Sequence, residues 1–231
     1  DWSWSRGLGD VYKRQGLYSM NPIYILGAGN FAQEVYSEVF LQGDASKYGK
    51  FEGYIYLSKL NNPILIDEER KNSVGFTFPK DAAFVLATGV KKWRHKFIDL
   101  FTSKYAVTEE HFPNVLSDST NISPLADYGV GNVFLWNTLV RANASIGNFN
   151  LLNAASIVHH DVKLGFNNVL LPQSQILGDS SMGDNNLLAS SSVVVPNIKI
   201  GDDNSISAGE VLFDNLGNRK FFQSGYIVDK P

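Results

Sequence analysis

The sequence predicts an α/β unit followed by a parallel β-helix, and three observations carry that class. From Ile146 to Leu212 every sixth residue is apolar, through Leu152, Val158, Leu164, Leu170, Ile176, Met182, Leu188, Val194, Ile200 and Ile206. With 44% of the chain hydrophobic, twelve hits at fixed positions arise by chance about 5 times in 100,000. An apolar-Gly pair recurs at Ile146-Gly147, Leu164-Gly165, Met182-Gly183 and Ile200-Gly201, which groups the hexads in threes with an 18-residue period. A six-residue period fits neither a helix nor a continuous strand; it fits a short strand and a turn, repeated. Upstream, the apolar run Ile23 to Leu26 leads directly into Gly27-Ala28-Gly29-Asn30-Phe31-Ala32 and a helix-like segment from Gln33 to Phe40. That is the opening of a doubly wound unit.

The 231 residues divide naturally into a leader (1–19), a compact first domain (20–110) and the solenoid (111–231). The leader shows no period, and its Asp10-Val11-Tyr12-Lys13-Arg14-Gln15 resembles the translation of a sequencing-library adapter. It is expected to be non-native or disordered, with Met20 as the natural start.

In the first domain the glycines let the chain turn tightly and approach a phosphate, which makes Gly27, Gly29 and Asn30 candidate substrate-binding residues. The second expected strand, Tyr54 to Leu57, ends in Ser58, where a nicotinamide dinucleotide would want a carboxylate. A nucleotide-sugar phosphate, or a plain turn with no ligand, both remain open. Ala82 to Ala87 reads as a third strand and Lys91 to Phe101 as an amphipathic helix, so the expected sheet is three parallel strands with intervening helices. Gly89 would join Gly27 and Gly29 at its carboxyl edge. His95, among Lys91, Lys92, Arg94 and Lys96, reads as part of a solvated basic face. His111 has no evident partner in sequence.

A looser pattern at Ile122, Tyr128, Phe134 and Val140 keeps the six-residue phase, so the coils begin before Ile146. The apolar guide residue and the residue two before it point inward. This accounts for the small polar side chains at Asn150, Ser156, Asn168, Ser174, Ser180, Asn186, Ser192 and Asn204, which are expected to stack in ladders. Asp184, Pro196, Asp202 and Asp214 read as ordinary turn residues.

One turn departs from this pattern: His159-His160-Asp161, after the guide residue Val158. At a corner, both His160 and Asp161 are free to face the same external groove. Imidazole titrates near pH 6.5, and an adjacent carboxylate orients it as a general base. A metal site and simple turn capping are the alternatives, although three consecutive residues rarely converge on one ion.

Composition narrows the partners. The net charge is −3 with no basic stripe, which argues against nucleic acid. The absence of cysteine removes disulfides and thiolate chemistry and fits a cytoplasmic protein. No apolar run approaches the roughly 20 residues of a membrane span.

The glycine-turn domain, the hexads in groups of three, and Val158-His159-His160-Asp161 followed by Leu164-Gly165 together resemble the sialic acid O-acetyltransferase and bacillosamine N-acetyltransferase family. The resemblance covers most of residues 20–212. It implies a small Rossmann-like parallel sheet followed by a left-handed parallel β-helix, a homotrimer, and acetyl-coenzyme A in the groove between neighbouring solenoids. It further implies His160 as catalytic base with Asp161 beside it, and Ser190 and Ala208 along the pantetheine path. One 18-residue coil beyond His160 lies Gly178, either a donor of its N–H to the thioester oxygen or a plain turn glycine. No metal is implied. The family commonly has Asn at the position of His159 and Gly-His at that of Asn30-Phe31, and the segment Lys220 to Pro231 lacks its usual Gly-x-Pro-Ala-Lys tail. The rival readings are a non-catalytic assembly solenoid and a nucleotide-binding enzyme that uses the solenoid only to oligomerise.

Overall fold

The computed structural model describes residues 21–57, 63–66, 72–74 and 77–230. The leader, Met20 and Ser58 lie outside them.

The N-terminal unit opens with β1 (Pro22–Leu26), α1 (Asn30–Val35) and a π-helical turn, Tyr36–Leu41, that continues α1. It goes on with β2 (Lys50–Leu57), β3 (Pro63–Ile66), β4 (Asn72–Val74), β5 (Ala83–Leu86) and α2 (Lys91–Lys104). The sheet order is β4-β3-β2-β1-β5. β1 pairs in parallel with β2 and β5, as the apolar runs imply. β3 and β4 pair antiparallel, so β2 reaches β5 through a meander where a helix was expected.

The solenoid begins at Val115–Leu116, one hexad before the first expected guide residue. Each coil lays a two-residue strand on each of three faces. The first face runs from Val115–Leu116 through Leu151–Leu152 to Ser205–Ile206, the second from Asn121–Ile122 through Ile157–Val158 to Val211–Leu212, and the third from Asp127–Tyr128 to Lys199–Ile200. All coil-to-coil pairs are parallel with an 18-residue offset, for example Leu139 on Ile157 and Ile157 on Gln175. A hairpin of Lys220–Gln223 and Tyr226–Asp229 extends the first face.

The guide residues fill the axis. Leu152, Val158, Leu170, Ile176, Leu188 and Val194 are all completely buried. Two positions earlier, Asn132, Asn150, Asn168, Asn186 and Asn204 form the expected ladder, each main-chain N–H donating 2.8–2.9 Å to the Asn Oδ1 one coil before. Of the serines, Ser180 bridges coils, its Oγ accepting from the Ile198 N–H at 3.1 Å. Ser174 and Ser192 donate instead to Leu171 O and Ala189 O, three residues back in their own turn at 2.7 Å.

Each corner turns through a residue with positive φ at every sixth position from Asn137 to Asp203, values 52–65°. Asn and Asp dominate there because their short polar side chains tolerate this conformation best. The apolar-Gly rhythm has a separate cause, at the third corner. There Asn148, Asp184, Asp202 and Asn218 each turn a side-chain oxygen back to cap an N–H of the preceding coil, and a Cβ on Gly129, Gly165, Gly183 or Gly201 would overlap that oxygen. Asp184 and Asp202 are therefore caps as well as turn residues.

The N-terminal unit sits on the first face. Ile23, Ile25, Val35, Val39, Val85 and Ala87 share one buried cluster with Val115, Val133, Leu135, Leu151 and Val169. Arg94 corrects the solvated-face expectation: it is fully buried. It sits on the same helical stripe as Phe97, Ile98 and Phe101. Its guanidinium donates to Asn167 Oδ1 (2.9 Å), Thr88 O (3.0 Å), Leu86 O (3.4 Å) and Phe149 O, so four acceptors from both units replace its water. Burial draws it down to about 9, still protonated at neutral pH. His95 is on the surface, 3.2 Å from Asp99. His111 does have a sequence partner: its Nδ1 lies 2.9 Å from Thr108 Oγ1 in a capping box, and its Nε2 lies 3.2 Å from Lys80 O.

Candidate active site at the second corner

The second corner follows the strands of the second face and carries Ala142, His160, Gly178 and Pro196 in register. At the coil of Val158 the turn places Asp161 in the left-handed region, φ 61°. That swings its carboxylate back beside the preceding imidazole: His160 Nδ1 is 2.9 Å from Asp161 Oδ2. A carboxylate only accepts, so Nδ1 carries a proton, and in the neutral ring Nε2 keeps the free lone pair. Asn143, one coil earlier in the same left-handed position, donates to Asp161 Oδ1 at 3.1 Å. The bonds from His160 and Asn143 hold the Asp161 carboxyl below the usual carboxylate range. His160 is 58% exposed, so Nε2 is open to a ligand.

Gly178 lies against the ring. A Cβ there would sit 2.5 Å from His160 Cε1 and 2.7 Å from Nε2, so only glycine fits under this imidazole. Main-chain bonds set the register: the Asp179 N–H donates to His160 O at 3.2 Å and the Asn197 N–H to Gly178 O at 3.1 Å. The Gly178 N–H makes no hydrogen bond among the described residues. His159 turns the other way, bonding Gln175. Burial, then His160 and Arg141, hold its imidazole below the ordinary value.

The remaining site candidates lie elsewhere on the chain. Ser190 and Ala208 share the first corner, one face away from His160, and are linked by the Gly209 N–H donating to Ser190 O at 2.9 Å. Gly27 has φ 134°, and a Cβ there would overlap the Ala87 carbonyl oxygen, so this glycine is a requirement of the sheet. Gly29 is extended with nothing within 4 Å of its Cβ position, and both it and Asn30 are exposed. A Cβ at Gly89 would lie 3.9 Å from Leu171 Cδ2 on the solenoid. Contacts of the N-terminal unit with the solenoid fall on the first face and its two flanking corners, at Leu116, Asp118, Phe149 and Asn167 among others. One chain therefore brings together His160, Asp161 and Gly178, and leaves the glycine loop, Ser190 and Ala208 apart from them. Sequence reasoning missed Asn143, although its place 18 residues before Asp161 is the signal that identifies it.

Among the described residues no three His, Asp or Glu side chains converge as metal ligands, and no helix is long and apolar enough to cross a membrane.

No protein-family model and no curated protein matches the sequence. Solved structures do match. PerB from Caulobacter crescentus, in complex with CoA and GDP-perosamine, superposes with a TM-score of 0.70 at 21% identity over 90% of this chain and 97% of its own. WeeI from Acinetobacter baumannii does so at 0.69 and 19%, over 90% and 100%. The acetyltransferase domain of PglB from Neisseria gonorrhoeae does so at 0.68 and 17%, over 89% and 94%. The chain shares their fold across nearly its whole described length.

Proposed function

We propose that this chain is an acetyl-CoA-dependent acetyltransferase acting on an amine or hydroxyl of a nucleotide-linked sugar. One observation carries the reading: an imidazole whose Nδ1 is tied to a carboxylate stands exposed beside an unbonded main-chain N–H. Likeness of fold to an acetyltransferase domain and to PerB, whose structure holds CoA and GDP-perosamine, supports the choice of donor and acceptor.

In this reading His160 Nε2 takes the proton of the acceptor amine or hydroxyl as it attacks the thioester carbonyl. Charge develops on the carbonyl oxygen and meets the Gly178 N–H. The tetrahedral intermediate collapses, the C–S bond breaks, and the imidazolium returns its proton to the departing CoA thiolate. Asp161 stabilises the imidazolium between these steps. The mechanism needs no acyl-enzyme and no metal.

The site is completed by a neighbouring copy. The second face of the solenoid is uncovered and carries more apolar than polar side chains outward: beside Arg141, His159 and Gln175, Leu139, Ile157, Leu177, Val193 and Val195 are half-exposed and Phe213 is 68% exposed. The third face carries Asp127, Lys163 and Lys199 outward instead. Three copies of a left-handed β-helix packed through their second faces bring the first corner of one beside the second corner of the next. Ser190 and Ala208 then line the pantetheine path opposite the neighbour's His160. In this reading the unit of residues 20–110 is the Rossmann-like domain, and it holds the nucleotide at Gly27, Gly29 and Asn30.

His160→Ala tests the proposal. Turnover falls at least about a hundredfold. Acetyl-CoA at 100 times its dissociation constant still adds about 2.7 kcal/mol of stability to variant and wild type alike. Wild-type turnover in the variant, or no stabilisation of either protein, refutes it.

A further inference from the structure

The second and third corners use the same turn but satisfy one backbone group differently. At the third corner the N–H of the residue two after the guide is capped by a side chain of the next coil in four coils, and left unbonded at Asn148, where the next coil offers Phe166. Val130 N–H donates to Asn148 Oδ1 (2.9 Å), Phe166 N–H to Asp184 Oδ1 (2.7 Å), Asp184 N–H to Asp202 Oδ1 (2.8 Å) and Asp202 N–H to Asn218 Oδ1 (2.9 Å). At the second corner the equivalent donors are the N–H groups of His160 and Gly178. The residues one coil beyond them are Gly178 and Pro196, neither of which carries a side-chain acceptor, and both N–H groups are without a hydrogen bond among the described residues.

The need for glycine under the His160 ring explains residue 178. It does not explain residue 196, which is exposed. Asn or Asp fits this turn, since both occur at the matching third-corner position, and either would gain a hydrogen bond there. Proline forgoes that bond and, lacking an N–H, adds no competing donor of its own.

We infer that Pro196 is a positioning residue that keeps the Gly178 N–H open for the oxyanion of the tetrahedral intermediate. The inference rests on the acetyl-transfer reading. An Asn at this position would reach back 18 residues, as Asp184 reaches Phe166, and occupy the donor with a permanent acceptor. The oxyanion would then have to displace a preformed hydrogen bond.

The test is Pro196→Asn beside Pro196→Ala, followed by amide hydrogen exchange at Gly178 and by steady-state kinetics. In Pro196→Asn the Gly178 amide exchanges more slowly, kcat falls about a hundredfold, the KM for acetyl-CoA stays close to that of the wild type, and the melting temperature does not drop. A merely structural proline predicts the opposite pairing, with lower stability and unchanged kcat. Pro196→Ala keeps both exchange and kcat near wild type. Full turnover in Pro196→Asn with a protected amide overturns the inference, and so does an amide that exchanges equally fast in all three proteins. A wild type that transfers no acetyl group sinks the underlying reading instead, before any variant is compared.

Discussion

Gly178 shows how much one side chain, or its absence, decides at this site. In Gly178→Ala the new Cβ starts 2.5 Å from His160 Cε1, so the ring must swing off Gly178 and away from Asp161. The expected outcome is a loss of kcat of about a hundredfold with a stability change within about 1 kcal/mol, read from kinetics and thermal melts on the same preparation. The depressed Asp161 keeps the pair intact until the pH falls below the ordinary carboxylate range, so Asp161 does not limit activity in mildly acidic buffer. His160 and Asp161 were legible in sequence because they interrupt a strict repeat. Arg94 was not: its neighbours Lys92 and His95 are exposed, and only the docking of the helix on the solenoid separates a buried cation from solvated ones.

At the scale of elements, the π-helical turn Tyr36–Leu41 carries Glu38 against the first coils. Glu38 is 5% exposed, and its Oε1 has no hydrogen-bond partner. Burial pushes its carboxyl from 4.5 up to about 7, against bonds from Ser117 and Trp136, while Glu34 adds to the rise. The folded chain thus holds a proton that the unfolded chain releases at lower pH. The stabilisation linked to Glu38 is complete below 4.5, declines as the pH rises, and is gone above about 7. Glu38→Gln removes this decline. Denaturant titrations at pH 5 and pH 8 differ less for the variant than for the wild type; an equal difference in both contradicts the assignment. The strands around β1 were readable from their apolar runs. The β3–β4 meander was not, because short strands at a sheet edge leave only weak patterns.

For the whole molecule, the uncovered second face is the feature that a single chain does not explain. Val193→Glu puts a charge on that face without touching His160, and burying it against another copy leaves it unpaired. The expected result is dissociation in light-scattering chromatography together with loss of acetyl transfer, because the proposed site pairs Ser190 and Ala208 with a neighbour's His160. A fully active monomer, wild type or variant, contradicts the shared site.

The sequence by itself determined the solenoid, its phase, its asparagine ladder and the corner where the chemistry is proposed. Each coil contacts the next at a constant offset of 18 residues, so a non-local structure is written in a local period. Only the tertiary structure decided which face the N-terminal unit covers, that Arg94 closes the joint, and that one corner is capped by Asn and Asp while another is left open. The first two depend on surfaces that meet without any fixed spacing; the third keeps the 18-residue offset, but only the folded turn shows which side chain bends back onto which N–H.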